Sequence, residues 1–200
     1  MAKIFIINGH QPHPVSPGNL NEAFVERAEA FFHKRGDDVR KTAVSEGYDV
    51  PAEIEKLKWA DIVFFQSPIN WMGVSWVMKK YIDDVWTAGM AGDLSVGDGR
   101  SSKNPKSGYG LGPKLSGKYM MSFTANAPRE AFNDPEQKFF EGLSEDELMR
   151  PMHLNFKWTG LEPLATYVIY DVLKNPDIDA DFARFEKHLS NEFAEMEDAA

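Results

Sequence analysis

Three short stretches carry the residue types from which a ligand site is built. The first, Ser16-Pro17-Gly18-Asn19-Leu20-Asn21, opens a helical pattern. A helix N-terminus presents free N–H groups and the positive end of the helix dipole. With hydroxyl and amide side chains beside it, such an end takes phosphate. Simple capping by Ser16 or Asn19 accounts for the same residues, and the two readings are compatible. The second stretch, Ser67-Pro68-Ile69-Asn70-Trp71-Met72-Gly73, combines a rigid Pro, a large aromatic and a Gly, which suits a flat ligand laid against backbone. The alternative is an ordinary strand-to-helix connection with Trp71 in the core. The third, Thr124-Ala125-Asn126-Ala127, contains no carboxylate, so its backbone donors face no competing negative charge.

Other chemistries lack an anchor. No G-x-G-x-x-G follows the first strand. Residues 112–118 spell G-x-x-x-x-G-K, but Tyr119 stands where a P-loop needs Ser or Thr, and the segment precedes a strand. His10 and His13 form an H-x-x-H pair without a third ligand nearby, which reads as two solvated loop histidines and no metal site. There is no G-x-S-x-G elbow and no cysteine, hence no disulfide framework or thiolate chemistry.

The chain has 200 residues, 42% of them hydrophobic, with 12 Pro and 15 Gly, which fits one globular domain over residues 1–200. A net charge of −9 argues against nucleic acid or an anionic membrane as partner. No stretch is long and apolar enough to insert in a membrane, and the apolar start is too short for a signal peptide, so a cytoplasmic location is expected.

Elements that position these stretches follow from periodicity. The short apolar run at Ile62–Phe65 reads as a strand buried on both faces, Lys3–Ile7 as a buried strand, Lys118–Thr124 as a further strand, and Asp38–Val44 as a polar edge strand. Pro163–Tyr170 is expected to be the last strand. Helices are expected at Asn19–Arg35, after Pro51, at Val77–Val85, over Asp134–Gly142, from the capping box Ser144–Glu147 to Gly160 with a break near Pro151, and over Ile178–Met196. Strands alternating with helices mean an α/β fold with a parallel sheet. Five strands point to the flavodoxin-like order 2-1-3-4-5, with helices on both faces and a ligand crevice at the carboxyl ends of the first, third and fourth strands. Residues 88–117 hold eight glycines and form a long loop of the kind that is usually functional or disordered.

At these loops the chain resembles the NAD(P)H:quinone oxidoreductases of the modulator of drug activity B family. The likeness runs over nearly the whole sequence. It includes Ile6-Ile7-Asn8-Gly9, the Ser16–Asn21 run, Trp71-Met72-Gly73, Lys79-Lys80-Tyr81-Ile82-Asp83-Asp84-Val85, Asn126-Ala127-Pro128 and Gly160-Leu161-Glu162-Pro163-Leu164. The resemblance implies FAD, with NADPH or NADH as reductant, in a homodimer. It implies two-electron, ping-pong hydride transfer to a quinone. Carried over by position, the flavin site comprises Ser16, Pro17, Gly18, Asn19, Leu20, Asn21, Glu22 and Ala23 at the phosphate loop. It adds Ile69, Asn70, Trp71 and Met72, then Tyr109 from the glycine-rich loop, and Thr124, Ala125, Asn126 and Ala127. The family tends to show an aromatic where Asn70 stands and Trp where Ala125 stands, both bordering the flavin or the acceptor. No catalytic acid–base residue and no metal ligand is assigned. A flavin azoreductase or nitroreductase, a flavodoxin-type electron carrier, and a fold relative without flavin are the rival readings.

Overall fold

A computed structural model describes residues 1–106, 108–110 and 112–194. The expected apolar runs form the sheet: β1 (Lys3–Asn8), β2 (Asp38–Ala43), β3 (Ile62–Pro68) and β4 (Lys118–Thr124). The strands lie parallel in the order β2-β1-β3-β4-β5, where β5 is Glu162–Pro163 and β6 (Tyr167–Ile169) continues along β4. This is the flavodoxin-like order expected from the sequence. Each central run is buried on both sides because alternate residues point to opposite faces. Ile4, Ile6, Ile62 and Phe64 face one core; Phe5, Ile7, Val63 and Phe65 face the other.

Helices α1 (Asn19–Lys34) and α6 (Ile178–Ala194) cover the first face through Phe24, Phe32, Phe185, Leu189 and Phe193. Helices α2 (Val50–Trp59), α3 (Trp76–Gly89) and α5 (Arg150–Thr159) cover the second through Leu57, Tyr81, Val85 and Phe156. Asp49 caps α2 by accepting from the Ala52 N–H, and Ser75 caps α3 by accepting from the Met78 N–H. The Ser144–Glu147 capping box opens the single turn α4 (Glu145–Leu148), and the chain breaks at Met149 before α5, where Pro151 takes a first-turn position. Gly160, at φ 102°, ends α5. Met196, the expected end of the last helix, lies outside the described residues.

Two expectations are corrected. The helix over Asp134–Gly142 is instead a set of turns: Asn133 and Glu141 take positive φ, and burial of Phe140 stacked on Phe132 at 4.6 Å holds the bent path. The strand over Pro163–Tyr170 is split. Its register against β4 changes between Tyr119–Pro163 and Ser122–Tyr167, so Met120 and Met121 stand opposite Leu164, Ala165 and Thr166, a bulge of one residue. In the described part of the 88–117 loop, Leu94 is buried against Gly89, and Ser95 accepts from the Trp158 indole N–H at 3.2 Å. No helix among the described residues is long and apolar enough to cross a membrane.

Candidate functional site

The carboxyl ends of β1, β3 and β4 bring the three stretches to one edge of the sheet. Gly18 stands at the N-cap of α1 with φ 99° and no side-chain cap. The first bond of α1 runs from the Glu22 N–H to the Gly18 carbonyl, so the N–H groups of Asn19, Leu20 and Asn21 have no partner among the described residues. Ser16 and Pro17 are exposed in a small turn in which His13 and Ser16 exchange backbone hydrogen bonds. Asn19 is exposed; Leu20, Glu22 and Ala23 are half-buried.

Asn21 departs from a surface role for its side chain. Its amide is buried and donates to Asn8 Oδ1 at 2.7 Å, while Gln66 donates to Asn21 Oδ1 at 3.1 Å. Asn8 in turn donates to Glu22 Oε2 at 2.6 Å, and its Oδ1 also accepts from the His10 N–H. This chain of amides ties the carboxyl ends of β1 and β3 to the first turns of α1. Asn21 offers a ligand its backbone N–H alone. His10 is corrected as well: it is 8% exposed, not a solvated loop residue, and its Nε2 has no hydrogen-bond partner. Burial holds its pKa below the ordinary histidine value, against the raising effects of a hydrogen bond to the Ser16 backbone carbonyl and of the charge of Glu22.

The second stretch forms a two-residue turn. Asn70 and Gly73 exchange both backbone hydrogen bonds, and the residues between them, Trp71 and Met72, take φ 46° and 63°. Left-handed backbone on residues other than Gly, Asn or Asp is strained and concentrates at functional loops. Trp71 is 95% exposed, which rules out the core reading of this residue. In the third stretch Thr124 and Ala125 are buried, and the Asn126 and Ala127 N–H groups have no partner among the described residues. The Ala125 N–H donates to Ile169 and its carbonyl accepts from Val172, which fixes the loop against β6.

Between the second and third stretches lies a cavity of about 400 Å³. Ile69, Trp71, Met72 and Ala125–Ala127 form one side; Phe132, Phe139, Phe140 and Leu148 form the other. No charged side chain lines it; Gln137 and Asn126 supply the polar groups. The aromatic wall escaped the sequence reading because residues 134–142 fit a helix; the paired Phe139-Phe140 after a Pro and a Gln was the available signal. Tyr109 is elsewhere. Its exposed ring meets Trp158 edge-on at 5.1 Å under the Arg100 guanidinium, in a separate cavity with Leu154 and Asn155. Within one chain it does not join the other stretches. A further cavity of about 520 Å³ opens at the amino ends of β4 and β5, away from the ligand edge, where Tyr119, His153 and Asp146 form a hydrogen-bonded chain. Among the described residues no His, Cys, Asp or Glu cluster is arranged to hold a metal ion.

These features fit a flat, uncharged ring carrying an anionic tail. The ring matches the charge-free cavity and its unpartnered donors; the tail matches the uncapped N-terminus of α1.

The family description "flavodoxin-like fold" matches residues 2–192. The NADPH:quinone oxidoreductase MdaB of Haemophilus influenzae is 41% identical over 95% of this chain and 98% of its own. An uncharacterised protein of Schizosaccharomyces pombe is 40% identical over 96% of this chain and 97% of its own. Among solved structures, general stress protein 14 of Treponema denticola, determined in complex with FMN, superposes with TM-score 0.62 over all of both chains at 16% identity, a likeness of fold. The chain belongs to the flavodoxin-like fold family and, within it, to the family of MdaB.

Proposed function

We propose that this protein is an FAD-dependent NAD(P)H:quinone oxidoreductase. One observation carries the reading: a charge-free cavity with two unpartnered backbone donors lies at the same sheet edge as an uncapped helix N-terminus. The 41% identity to an NADPH:quinone oxidoreductase supports the reaction class. The bound flavin supplies hydride transfer from the nicotinamide and on to the acceptor. The chain does the rest. Backbone N–H groups of Asn19, Leu20 and Asn21 hold the phosphate, with the α1 dipole behind them. Trp71, Met72 and Ala125 bound the ring, and the Asn126 and Ala127 N–H groups face negative charge as it develops. Phe132, Phe139 and Phe140 keep water from the acceptor's place, and the absence of charge in the lining favours uncharged quinones. We further propose a homodimer in which the Tyr109 loop completes the site of the second copy, because Tyr109 is exposed and turned away from its own chain's cavity.

The test is purification followed by an acceptor panel. A yellow protein that releases FAD on denaturation, oxidises NADPH rapidly with benzo- and naphthoquinones, and scatters light as a dimer meets the reading. A colourless protein that gains no flavin absorbance with FAD sinks it. Faster turnover with azo or nitro compounds than with quinones reassigns the acceptor, and release of FMN reassigns the cofactor.

A further inference from the structure

We propose that a cationic groove along the free edge of the sheet binds the phosphate-bearing end of the dinucleotide reductant, with Arg129 and Lys187 selecting a 2′-phosphate. The inference rests on the reading above and names which reductant that site takes.

The groove, about 400 Å³, lies between β6 and α6. Arg184, Lys187, His188 and Asn191 recur at helical spacing, so α6 presents all four on one face, and Arg129 closes the groove from the opposite side. No carboxylate lines it, although the chain carries a net charge of −9. Its cations differ in what they have to offer. Arg184 is paired with Asp181, whose carboxylate is buried. Arg129 lies over the Tyr170 ring at 5.1 Å, and neither Arg129 nor Lys187 makes an ion pair among the described residues. His188 is fixed by donating from Nε2 to the Ala165 carbonyl at 3.0 Å and by packing on Tyr167. Arg129 is near enough to the buried Asp181 carboxylate to feel its charge but not to pair with it. Two cations without an ion pair, held near a third, make a place for a dianion, and the planar guanidinium of Arg129 suits the paired oxygens of a phosphomonoester.

Position supplies the ligand. Arg129 begins the short turn Arg129–Ala131, and that turn separates two cavities. Ala127, Ala131 and Phe132 line the ring cavity on one side, while Arg129 lines the groove on the other. A molecule with a flat ring at one end and a phosphate at the other can straddle the turn, and a phosphorylated dinucleotide has this form. Charges beside an edge strand also deter strand pairing between molecules, a role that charge of either sign fills and that predicts no ligand.

Calorimetric titration of the purified protein with adenosine 2′,5′-bisphosphate, adenosine 5′-monophosphate and inorganic phosphate decides between these. The bisphosphate is expected to bind at least about tenfold more tightly than the other two, and Arg129→Met and Lys187→Met each to weaken it about tenfold, the size of one charge-assisted contact. The same variants should raise the KM for NADPH by a similar factor and leave the KM for NADH and the flavin content unchanged. Equal binding of the two nucleotides, or inorganic phosphate binding as tightly as the bisphosphate, overturns the proposal, and no binding at all returns the groove to edge protection. If the protein carries no flavin, the quinone reductase reading falls, while the bisphosphate titration still decides the groove by itself.

Discussion

The imidazole of His10 lies directly against the backbone of Gly18: a Cβ added to Gly18 would stand 2.2 Å from His10 Cε1 and 2.4 Å from Nδ1. Gly18 also holds φ 99°, where L side chains are strained. Both constraints fall on the residue that opens the proposed phosphate site. Gly18→Ala should therefore cost about 2 kcal/mol of stability, from strain and displacement of the ring. It should also reduce flavin retention, read as the ratio of flavin to protein absorbance after gel filtration. Full retention in a protein of unchanged stability would mean that the loop is not held as described.

His10 also sets a pH dependence. Its pKa is lowered in the folded protein, chiefly by burial, so the unfolded chain binds its proton at higher pH than the folded one does. The stability this neutral histidine allows is present above about pH 6.5 and is lost as pH falls below the ordinary histidine value toward the folded one. Urea denaturation at pH 7, 6 and 5 should show declining stability, and His10→Gln should flatten that slope. An identical slope in the variant assigns the decline to other groups.

Trp71 and Met72 form a turn whose two central residues both require positive φ, the geometry that Asn-Gly supplies without strain. Trp71 is exposed, so its removal takes little from the core. Replacing the pair by Asn-Gly is expected to stabilise the protein by about 1 kcal/mol while weakening flavin retention and acceptor turnover. Thermal melts beside steady-state kinetics check both halves, and a destabilised variant would show that the turn is not strained.

Glu53 is 1% exposed and satisfied on both oxygens. Thr42 Oγ1 at 3.0 Å and Lys56 Nζ at 2.7 Å donate to Oε1, and the Tyr81 hydroxyl donates to Oε2 at 2.8 Å. Burial and the adjacent Glu53 charge push the Tyr81 phenol well above its ordinary value, so it remains a donor. Glu53→Gln leaves Lys56 without its counter-charge and should cost about 3 kcal/mol, against about 1 kcal/mol for Tyr81→Phe. Denaturant midpoints of the two variants test the order, and equal costs would contradict a charge-centred network.

Much of this architecture is written locally. Ile62–Phe65 must be a strand buried on both faces because it is apolar at every position, and α1 must begin near Gly18 because the helical pattern starts there. Alternation of strand and helix then limits the sheet to very few orders, which is why 2-1-3-4-5 was legible. The anion-ready end of α1 follows from residue type and position in that order; the turn at Trp71 was legible too, but not whether its ring is exposed or in the core, which the structure decides.

Tertiary structure decided what depends on residues far apart in the chain. Asn21 has the composition of a surface cap, yet its amide is claimed by Asn8 and Gln66. Residues 134–142 have a helical pattern, but stacking Phe140 on Phe132 outweighs a short helix of marginal intrinsic stability. Tyr109 is drawn to Trp158, whose place depends on how α5 packs. The first loop is fixed partly by Ser75 Oγ, which donates to the Gly9 carbonyl at 2.8 Å from 66 positions away. Periodicity reports which face of an element is apolar; it carries no information about which polar groups meet once the faces are packed, and the site is made of those meetings.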